Sequence, residues 1–204
     1  MGIIKKPPPS VRFAAVFSCE DRFLRLAWDR LESRWGKIAT LGPMLDFIES
    51  PYYTRTMLVL PGISGQAMLK KQMALFADPY DPSELACDKL ASNRFEEAWT
   101  TEILGSTSES RLINIDPGYM TMTKLVLAST KNREHRIYLR DGIYAEVTLA
   151  FRDQLWAAMP WTYADYQRPD VHEFLSIARR GFVASVSKAN RQIKPPSSGS
   201  ETRP

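Results

Sequence analysis

The chain has 204 residues, 44% hydrophobic and 25% charged, a composition that excludes collagen-like, disordered and disulfide-stapled proteins. No apolar run reaches the length of about 18 residues that a membrane-spanning helix needs, so we expect no contact with a membrane. The net charge is +4, but residues 1–10 contribute +2 and residues 188–204 contribute +3, which leaves −1 on residues 11–187. A nucleic-acid groove needs an excess of basic residues on the folded body, so we expect no nucleic-acid binding by residues 11–187. For the basic tail, nucleic-acid binding remains an alternative.

The sequence divides into three predicted regions. Residues 1–10 form a disordered, Pro-rich lead-in, residues 11–187 form one globular domain, and residues 188–204 form a disordered basic tail. The N-terminus has no apolar run of signal-peptide length, which favours a cytoplasmic protein. The two cysteines and two histidines are too scattered to ligate zinc, so we predict no metal site and no cofactor.

The first half of the domain opens with a strand and a helix. Val11–Phe17 is a short apolar run typical of a buried strand. A helix follows to about Trp35, with Ser18 and Asp21 as a capping box and Gly36 at its C-terminus. The remaining predictions are extended chain over 38–48, broken at Gly42-Pro43, a candidate strand Met57–Leu60, and a short helix or irregular cover over Gln66–Phe76.

The second half starts with a long helix, which Asp81 and Pro82 begin and which reaches about Leu104. Four further segments are predicted: a strand Arg111–Asp116 ending in an Asp116-Pro117-Gly118 turn, a run Leu125–Ser129 that fits either a strand or a helix, an irregular aromatic segment Trp161–Tyr166, and a helix that Pro169 starts. We therefore predict an α+β single domain, mainly an antiparallel sheet with helices packed on one face. The βαβ opening is compatible with a ferredoxin-like arrangement.

His135–Leu139 and Ile143–Phe151 form the clearest hairpin. A three-residue loop, Arg140-Asp141-Gly142, pairs Tyr138 with Tyr144 and Arg136 with Glu146, and only this register separates apolar from polar side chains. Its apolar face would hold Ile137, Leu139, Ile143, Ala145, Val147 and Leu149. Gly142 would then take a left-handed conformation. The polar face is either a wet side of the sheet with one cross-strand ion pair or part of a binding site.

Sequence motifs for known chemistry are missing: there is no P-loop, dinucleotide fingerprint, nucleophile elbow or zinc-protease motif. The predicted middle helix does place Lys89, Ser92, Asn93 and Glu96 on one stripe. Such a stripe is either solvent-facing or able to donate to and accept from a ligand.

Five segments carry a family resemblance: Asn114–Tyr119, Lys124–Lys131, His135–Leu139, Gly142–Leu149 and Trp161–Tyr166. Together with the Lys89 to Glu96 stripe and the pair Tyr52-Tyr53, they resemble the bacterial family called domain of unknown function 4416. The resemblance covers roughly residues 11–182. Ser92 stands where threonine is usual, Ala164 where proline is common, and the segment after Tyr53 departs from the family pattern. The resemblance implies no established activity.

Two functions fit these residues. In the first, the domain binds, or binds and acts on, a small anionic or phosphorylated molecule in a polar pocket of Arg, Glu, Asp and Tyr side chains. In the second, Trp161–Tyr166 and the basic tail touch a protein or RNA partner, and the domain catalyses nothing. The candidate binding residues are Lys89, Asn93, Glu96, Asp116, Tyr119, Lys124, Lys131, His135, Arg136, Tyr138, Tyr144, Glu146, Trp161, Tyr163 and Asp165. Convergence of Arg136, Glu146, Asp116 and Asp165 on one concavity would favour the first function.

Overall fold

A computed structural model describes residues 2–3, 6–47, 57, 69–105 and 111–193. Within these ranges there are nine strands and three α-helices. The strands are β1 Ser10–Ser18, β2 Ile38–Leu41, β3 Leu45–Phe47, β4 Leu69–Pro79, β5 Ile113–Thr121, β6 Lys124–Ser129, β7 Ile137–Arg140, β8 Ile143–Arg152 and β9 Leu155–Ala158. The helices are α1 Asp21–Trp35, α2 Leu85–Leu104 and α3 Pro169–Ile193, and short 3-10 helices precede α2 (Pro82–Glu84) and α3 (Ala164–Gln167).

All strands form one antiparallel sheet in the order β2-β4-β1-β5-β6-β8-β7, with β3 paired to β4 and β9 paired to β8. The order β2-β4-β1-β5, with α1 after β1 and α2 after β4, is that of two split βαβ units, as in ferredoxin-like domains. Strands β6 to β9 extend this core sheet on one side. The predicted α+β class, antiparallel sheet and single domain are confirmed.

Helices cover both faces of the sheet, which corrects the prediction of one face. The central strand β1 shows this directly because its side chains alternate between faces. Ala14 and Val16 pack in one cluster with α1 and the C-terminal half of α2, whereas Phe13 and Ala15 pack in another with α3. The prediction therefore holds for α1 and α2 but not for α3, whose apolar stripe needs the second face of the sheet.

Most helix ends follow the local sequence signals. The Asp81 side chain accepts a hydrogen bond from the Ser83 N–H at 2.9 Å, and Gly36 follows α1 with φ +90°. The predicted capping box at Ser18 is wrong. Ser18 ends β1, and its buried hydroxyl donates to the buried Leu112 carbonyl at 2.5 Å, a group that needs a donor, so it does not cap α1.

Two predicted elements are wrong in type. Residues 69–79 form β4, next to the centre of the sheet, where a helix or irregular cover was predicted over 66–76. The Asp116-Pro117-Gly118 sequence is not a turn but lies within β5, paired with Ala15, Ala14 and Phe13. In both places the pairing with β1 overrides local preference, because the ladder with β1 satisfies backbone N–H and C=O groups.

Other boundaries differ by a few residues or lie outside the described ranges. The ambiguous run Leu125–Ser129 is a strand, within β6. Helix α3 reaches Ile193, so the predicted tail begins with helical chain. Of the candidate strand Met57–Leu60, only Met57 is described, and it is buried.

The hairpin register is confirmed away from its loop. Tyr138 pairs with Tyr144, but Arg140 rather than Leu139 pairs with Ile143, and a bulge at Leu139 restores the register. The loop is therefore Asp141-Gly142 alone, with both residues in the left-handed region (φ 52° and 76°). The predicted apolar face is wrong at Ile137 and Leu139, which are exposed because β7 is the edge strand. It is also wrong at Leu149, which a bulge in the β6–β8 pairing turns towards α3.

Replacing Gly142 with valine is expected to lower the free energy of unfolding by about 1–2 kcal/mol. No heavy atom lies within 4 Å of a Cβ placed there, so the loss comes from backbone strain at φ +76° and not from a clash. Gly142→Asn is the matched control, since asparagine tolerates this conformation. Urea unfolding of the two variants checks the prediction, and equal midpoints would contradict it.

Candidate functional site

The sheet splits between β5 and β6, and the candidate site lies at this split. The two strands pair only where Gly118–Met120 meets Leu125–Leu127. Alternate residues of a strand present their backbone groups to the same edge, so Pro117 faces the same edge as Ile115. Proline has no N–H to donate, and the ladder with β6 ends there.

Helix α2 supplies the hydrogen bonds that a neighbouring strand would otherwise make. Lys89 Nζ donates to the Ile115 carbonyl at 2.9 Å, and Glu96 Oε1 accepts from the Ile115 N–H at 2.7 Å. Both side chains are buried, so the polar stripe predicted on this helix turns inward to the split edge of β5 instead of to solvent. The third stripe residue, Ser92, donates to the Asp88 carbonyl within the helix.

A cavity of about 490 Å³ opens at the split, on the side of the sheet that α3 partly covers. Its floor comes from β1, β4, β5, β6 and β8, one wall comes from the 3-10 segment before α3, and Lys89 and Asn93 enter from α2. The lining residues are Phe17, Asp46, Lys71, Lys89, Asn93, Arg111, Asn114, Asp116, Leu127, Ala128, Ser129, Thr130, Lys131, Arg136, Glu146, Tyr163, Ala164, Asp165, Tyr166 and Arg168. Its volume is that of a small-molecule site.

Positive charge exceeds negative charge in this cavity. The described lining residues include six cations, Lys71, Lys89, Arg111, Lys131, Arg136 and Arg168, and four carboxylates, Asp46, Asp116, Glu146 and Asp165. Three of the carboxylates each lie in an ion pair with a buried cation. These pairs are Lys89–Asp116 at 3.1 Å, Lys71–Asp165 at 2.5 Å and Arg136–Glu146 at 2.7 Å.

Asp116 is the most exposed acid of these three pairs, with a side chain 27% exposed. Burial acts to raise the pKa of Asp116, but the positive charges of Lys89 and Lys71 outweigh it and hold this pKa below its ordinary value. Asp116 therefore stays a carboxylate between two buried ammonium groups. At Glu96 the balance is the opposite: burial raises the pKa of this carboxyl, and the positive charges of Lys89 and Arg111 do not outweigh it.

Arg136 organises the end of the cavity where β6 leaves the sheet. Its Nε donates to Glu146 Oε2 at 2.7 Å, and its Nη1 donates to Ser129 Oγ at 2.7 Å and to the Lys131 carbonyl at 2.9 Å. The guanidinium is itself buried, with a side chain 5% exposed. Arg136 thus fixes the Ser129–Lys131 segment against the buried carboxylate of Glu146.

His135 contacts Glu146 but does not line the cavity. Its Nε2 lies 3.2 Å from Glu146 Oε2, and its ring stacks on Trp161 with centroids 4.9 Å apart. Trp161 is half-buried, and its Nε1 donates to the Val147 carbonyl at 2.9 Å. The two residues therefore support the hairpin wall from outside.

Eight of the fifteen predicted site residues line the cavity: Lys89, Asn93, Asp116, Lys131, Arg136, Glu146, Tyr163 and Asp165. The other seven are placed elsewhere. Glu96, His135 and Trp161 support the site from behind. Tyr119 packs on the α2 face, Tyr138 and Tyr144 meet edge-on at the hairpin, and Lys124 lies at the far end of β6.

Sequence reasoning missed several polar lining residues: Asp46, Lys71, Arg111, Asn114, Ser129, Thr130, Tyr166 and Arg168. Lys71 is the most informative of them, because it is only 4% exposed and contacts Asp165 directly. A signal was present: Lys71, Met73 and Leu75 alternate with Lys70, Gln72 and Ala74, which indicates a strand with a lysine on its buried face.

Two further properties hold for the described part of the chain. No group of three or more His, Cys, Asp or Glu side chains is arranged to hold a metal ion. None of its helices is long and apolar enough to cross a bilayer.

Comparison with known proteins gives one match. The family model described as domain of unknown function (DUF4416) matches residues 8–182 of the 204-residue chain. No curated protein and no solved structure matches. The matched range contains every residue of the split sheet and its cavity, and the chain therefore belongs to the DUF4416 family.

Proposed function

We propose that the cavity at the β5–β6 split binds a small anionic molecule, with a phosphorylated one as the preferred class. The observation that carries this proposal is the charge count, six cations against four carboxylates in one cavity of about 490 Å³. Lys89, Lys71 and Arg136 each hold one of the carboxylates, while Arg111 lies 3.4 Å from Glu96 and Arg168 lies 2.9 Å from Asp170, so a bound anion would share these cations with their carboxylates. Asp116, Glu146 and Asp165 come from three distant segments and meet here.

The Ser129–Lys131 segment is the part of the cavity best suited to a phosphate. It offers two hydroxyl groups and one ammonium group, and Arg136 holds its backbone through the Lys131 carbonyl. Phosphate accepts several hydrogen bonds at once, and a segment fixed in advance loses little entropy on binding it. Phe17, Tyr163 and Tyr166 give the ligand an apolar wall to lie on.

Thermal unfolding with inorganic phosphate and with small phosphorylated metabolites tests the proposal, each compared with its neutral, dephosphorylated analogue. A ligand at 100 times its dissociation constant stabilises the folded state by about 2.7 kcal/mol. We expect stabilisation by phosphorylated compounds and none by the neutral analogues. Absence of any shift across the panel would contradict the proposal.

Lys131→Gln is the variant that separates binding from folding. Lys131 is exposed, so the change should alter the free energy of unfolding by no more than about 0.5 kcal/mol, while phosphate binding weakens about tenfold. Arg133→Gln is the matched control, since Arg133 is an exposed cation two residues away that does not line the cavity. Titration calorimetry with both variants measures the difference. An equal loss of phosphate affinity in the two variants would mean that the overall positive potential, and not direct contact with Lys131, attracts the anion.

A further inference from the structure

We propose that Lys71 is a reactive amine, which forms an imine with the carbonyl group of an anionic aldehyde or ketone bound in the cavity. This inference rests on the proposed function, because it takes the same cavity as the ligand site. It adds a chemical class of substrate, a carbonyl compound that carries a phosphate or another anionic group.

The surroundings of Lys71 differ from those of a surface lysine. Its side chain is 5% exposed, and its Nζ lies 4.3 Å from the centre of the Tyr166 ring and 5.4 Å from that of Phe17. It nevertheless lines the cavity, so a ligand carbonyl reaches it from inside. Burial removes most of the water from around this amine and places it against the ligand space of the cavity.

Asp165 is placed as the proton acceptor of this amine. Its Oδ2 lies 2.5 Å from Lys71 Nζ, and its side chain is 12% exposed at the cavity wall. Proton exchange between a side chain and a reacting group needs a direct hydrogen bond of this kind.

A second lysine completes the arrangement. Lys89 pairs with Asp116 at 3.1 Å, and the positive charges of Lys71 and Lys89 both act on that carboxylate. Lys89 also donates to the Ile115 carbonyl, which fixes its position, and it lines the same cavity as Lys71. A fixed ammonium group in the cavity is suited to stabilise the oxygen anion that develops during attack on a ligand carbonyl.

The step balances with the groups present. Lys71 gives one proton to Asp165, and its nitrogen pair then attacks the carbonyl carbon, which forms a C–N bond and breaks the C=O π bond. The oxygen takes the proton back from Asp165 and a second proton from the nitrogen, and it leaves as water. The product is a protonated imine, so one ammonium group and one carbonyl give one iminium group and one water.

Lys70 is an internal control in the same strand. It also pairs with a carboxylate, Asp21, at 2.8 Å, but it points to the α1 face and its side chain is 35% exposed. Accessibility alone predicts faster modification of Lys70 than of Lys71. The proposal predicts the reverse.

The test traps the imine in the full-length protein with glycolaldehyde phosphate and sodium cyanoborohydride, whose hydride reduces the imine to a stable secondary amine. Peptide mass spectrometry then measures the labelling rate at each lysine, with neutral glycolaldehyde as the comparison. We expect Lys71 to react about tenfold faster than Lys70 with the phosphorylated aldehyde, and to lose this advantage when excess inorganic phosphate competes.

The outcomes separate this inference from the proposed function. If phosphate stabilises the protein but Lys71 reacts no faster than Lys70, the imine is ruled out and anion binding stands. If Lys71 reacts quickly with both aldehydes and phosphate does not compete, the amine is reactive and the anion site is wrong.

Two variants test the role of Asp165. Asp165→Asn should slow labelling of Lys71 about tenfold with Lys70 unchanged, whereas Asp21→Asn, the matched change beside Lys70, should leave Lys71 unchanged. Lys71→Arg keeps the positive charge opposite Asp165 but cannot form an imine, so it should fold and show no label at position 71 while Lys70 is labelled as before. Unchanged labelling of Lys71 in Asp165→Asn would overturn the role of the acid.

Discussion

Gly118→Ala is expected to lower the free energy of unfolding by about 3 kcal/mol, towards the upper end of overpacking changes. A methyl group at this position would overlap the Val126 carbonyl oxygen and would lie 2.7 Å from Leu127 Cδ2. The oxygen belongs to the backbone of β6, so no side-chain rotation relieves the contact. Gly118 is where β5 and β6 meet before they diverge, and the variant must push the two strands apart.

Urea unfolding measures this change, with Gly181→Ala as the control. Gly181 lies inside α3, and no heavy atom stands within 4 Å of a Cβ placed there. Alanine should stabilise that helix by about 0.5–1 kcal/mol. Opposite signs at the two glycines would show that the contact with β6, and not the added methyl group itself, causes the loss. A midpoint for Gly118→Ala equal to that of the unmodified protein would contradict the structure of the split.

Arg136→Met is expected to lower the free energy of unfolding by about 3 kcal/mol, because it leaves Glu146 as a buried charge without its principal partner. The Glu146 side chain is 3% exposed. Methionine keeps much of the length of the arginine stem, so the loss reflects the missing charge and hydrogen bonds rather than a cavity. His135, 3.2 Å from the carboxylate, and the Thr148 hydroxyl remain as partners and keep the loss from being larger.

A double-mutant cycle with Glu146→Gln measures the pair itself. The amide keeps the shape of the side chain and removes its charge, so Arg136→Met combined with Glu146→Gln should be less destabilised than the sum of the single variants. We expect a coupling free energy of about 1–3 kcal/mol, read from urea unfolding of the four proteins. Strict additivity would show that the two side chains do not stabilise each other.

Much of the local structure could be predicted from neighbouring residues. Asp81 and Pro82 begin a helix and Gly36 ends one because the signals lie within a few residues of the backbone groups that they satisfy. The hairpin register, and with it the contact between Arg136 and Glu146, followed from the alternation of side chains on two adjacent strands.

Edge effects limited even this local reasoning. Alternation predicted a buried Ile137, yet that residue is 73% exposed because β7 is the last strand of the sheet. The sequence shows which residues share a face, but only the order of strands shows which face is covered.

The arrangement of the candidate site could not be predicted without the tertiary structure. Lys89 and Ile115 are 26 residues apart. Nothing in either segment indicates that a helix lysine donates to the Ile115 carbonyl the hydrogen bond that a neighbouring strand would otherwise donate. Lys71 escaped prediction because its strand was read as a helix or irregular cover. Asp116 was predicted as a site residue but placed in a turn, because Asp-Pro-Gly resembles one. The amino-acid sequence by itself determined the α+β class, most helix limits and one ion pair, all through contacts between near neighbours. Only the tertiary structure decided the split of the sheet and the cavity, because a buried backbone group takes whichever donor or acceptor the folded chain brings to it.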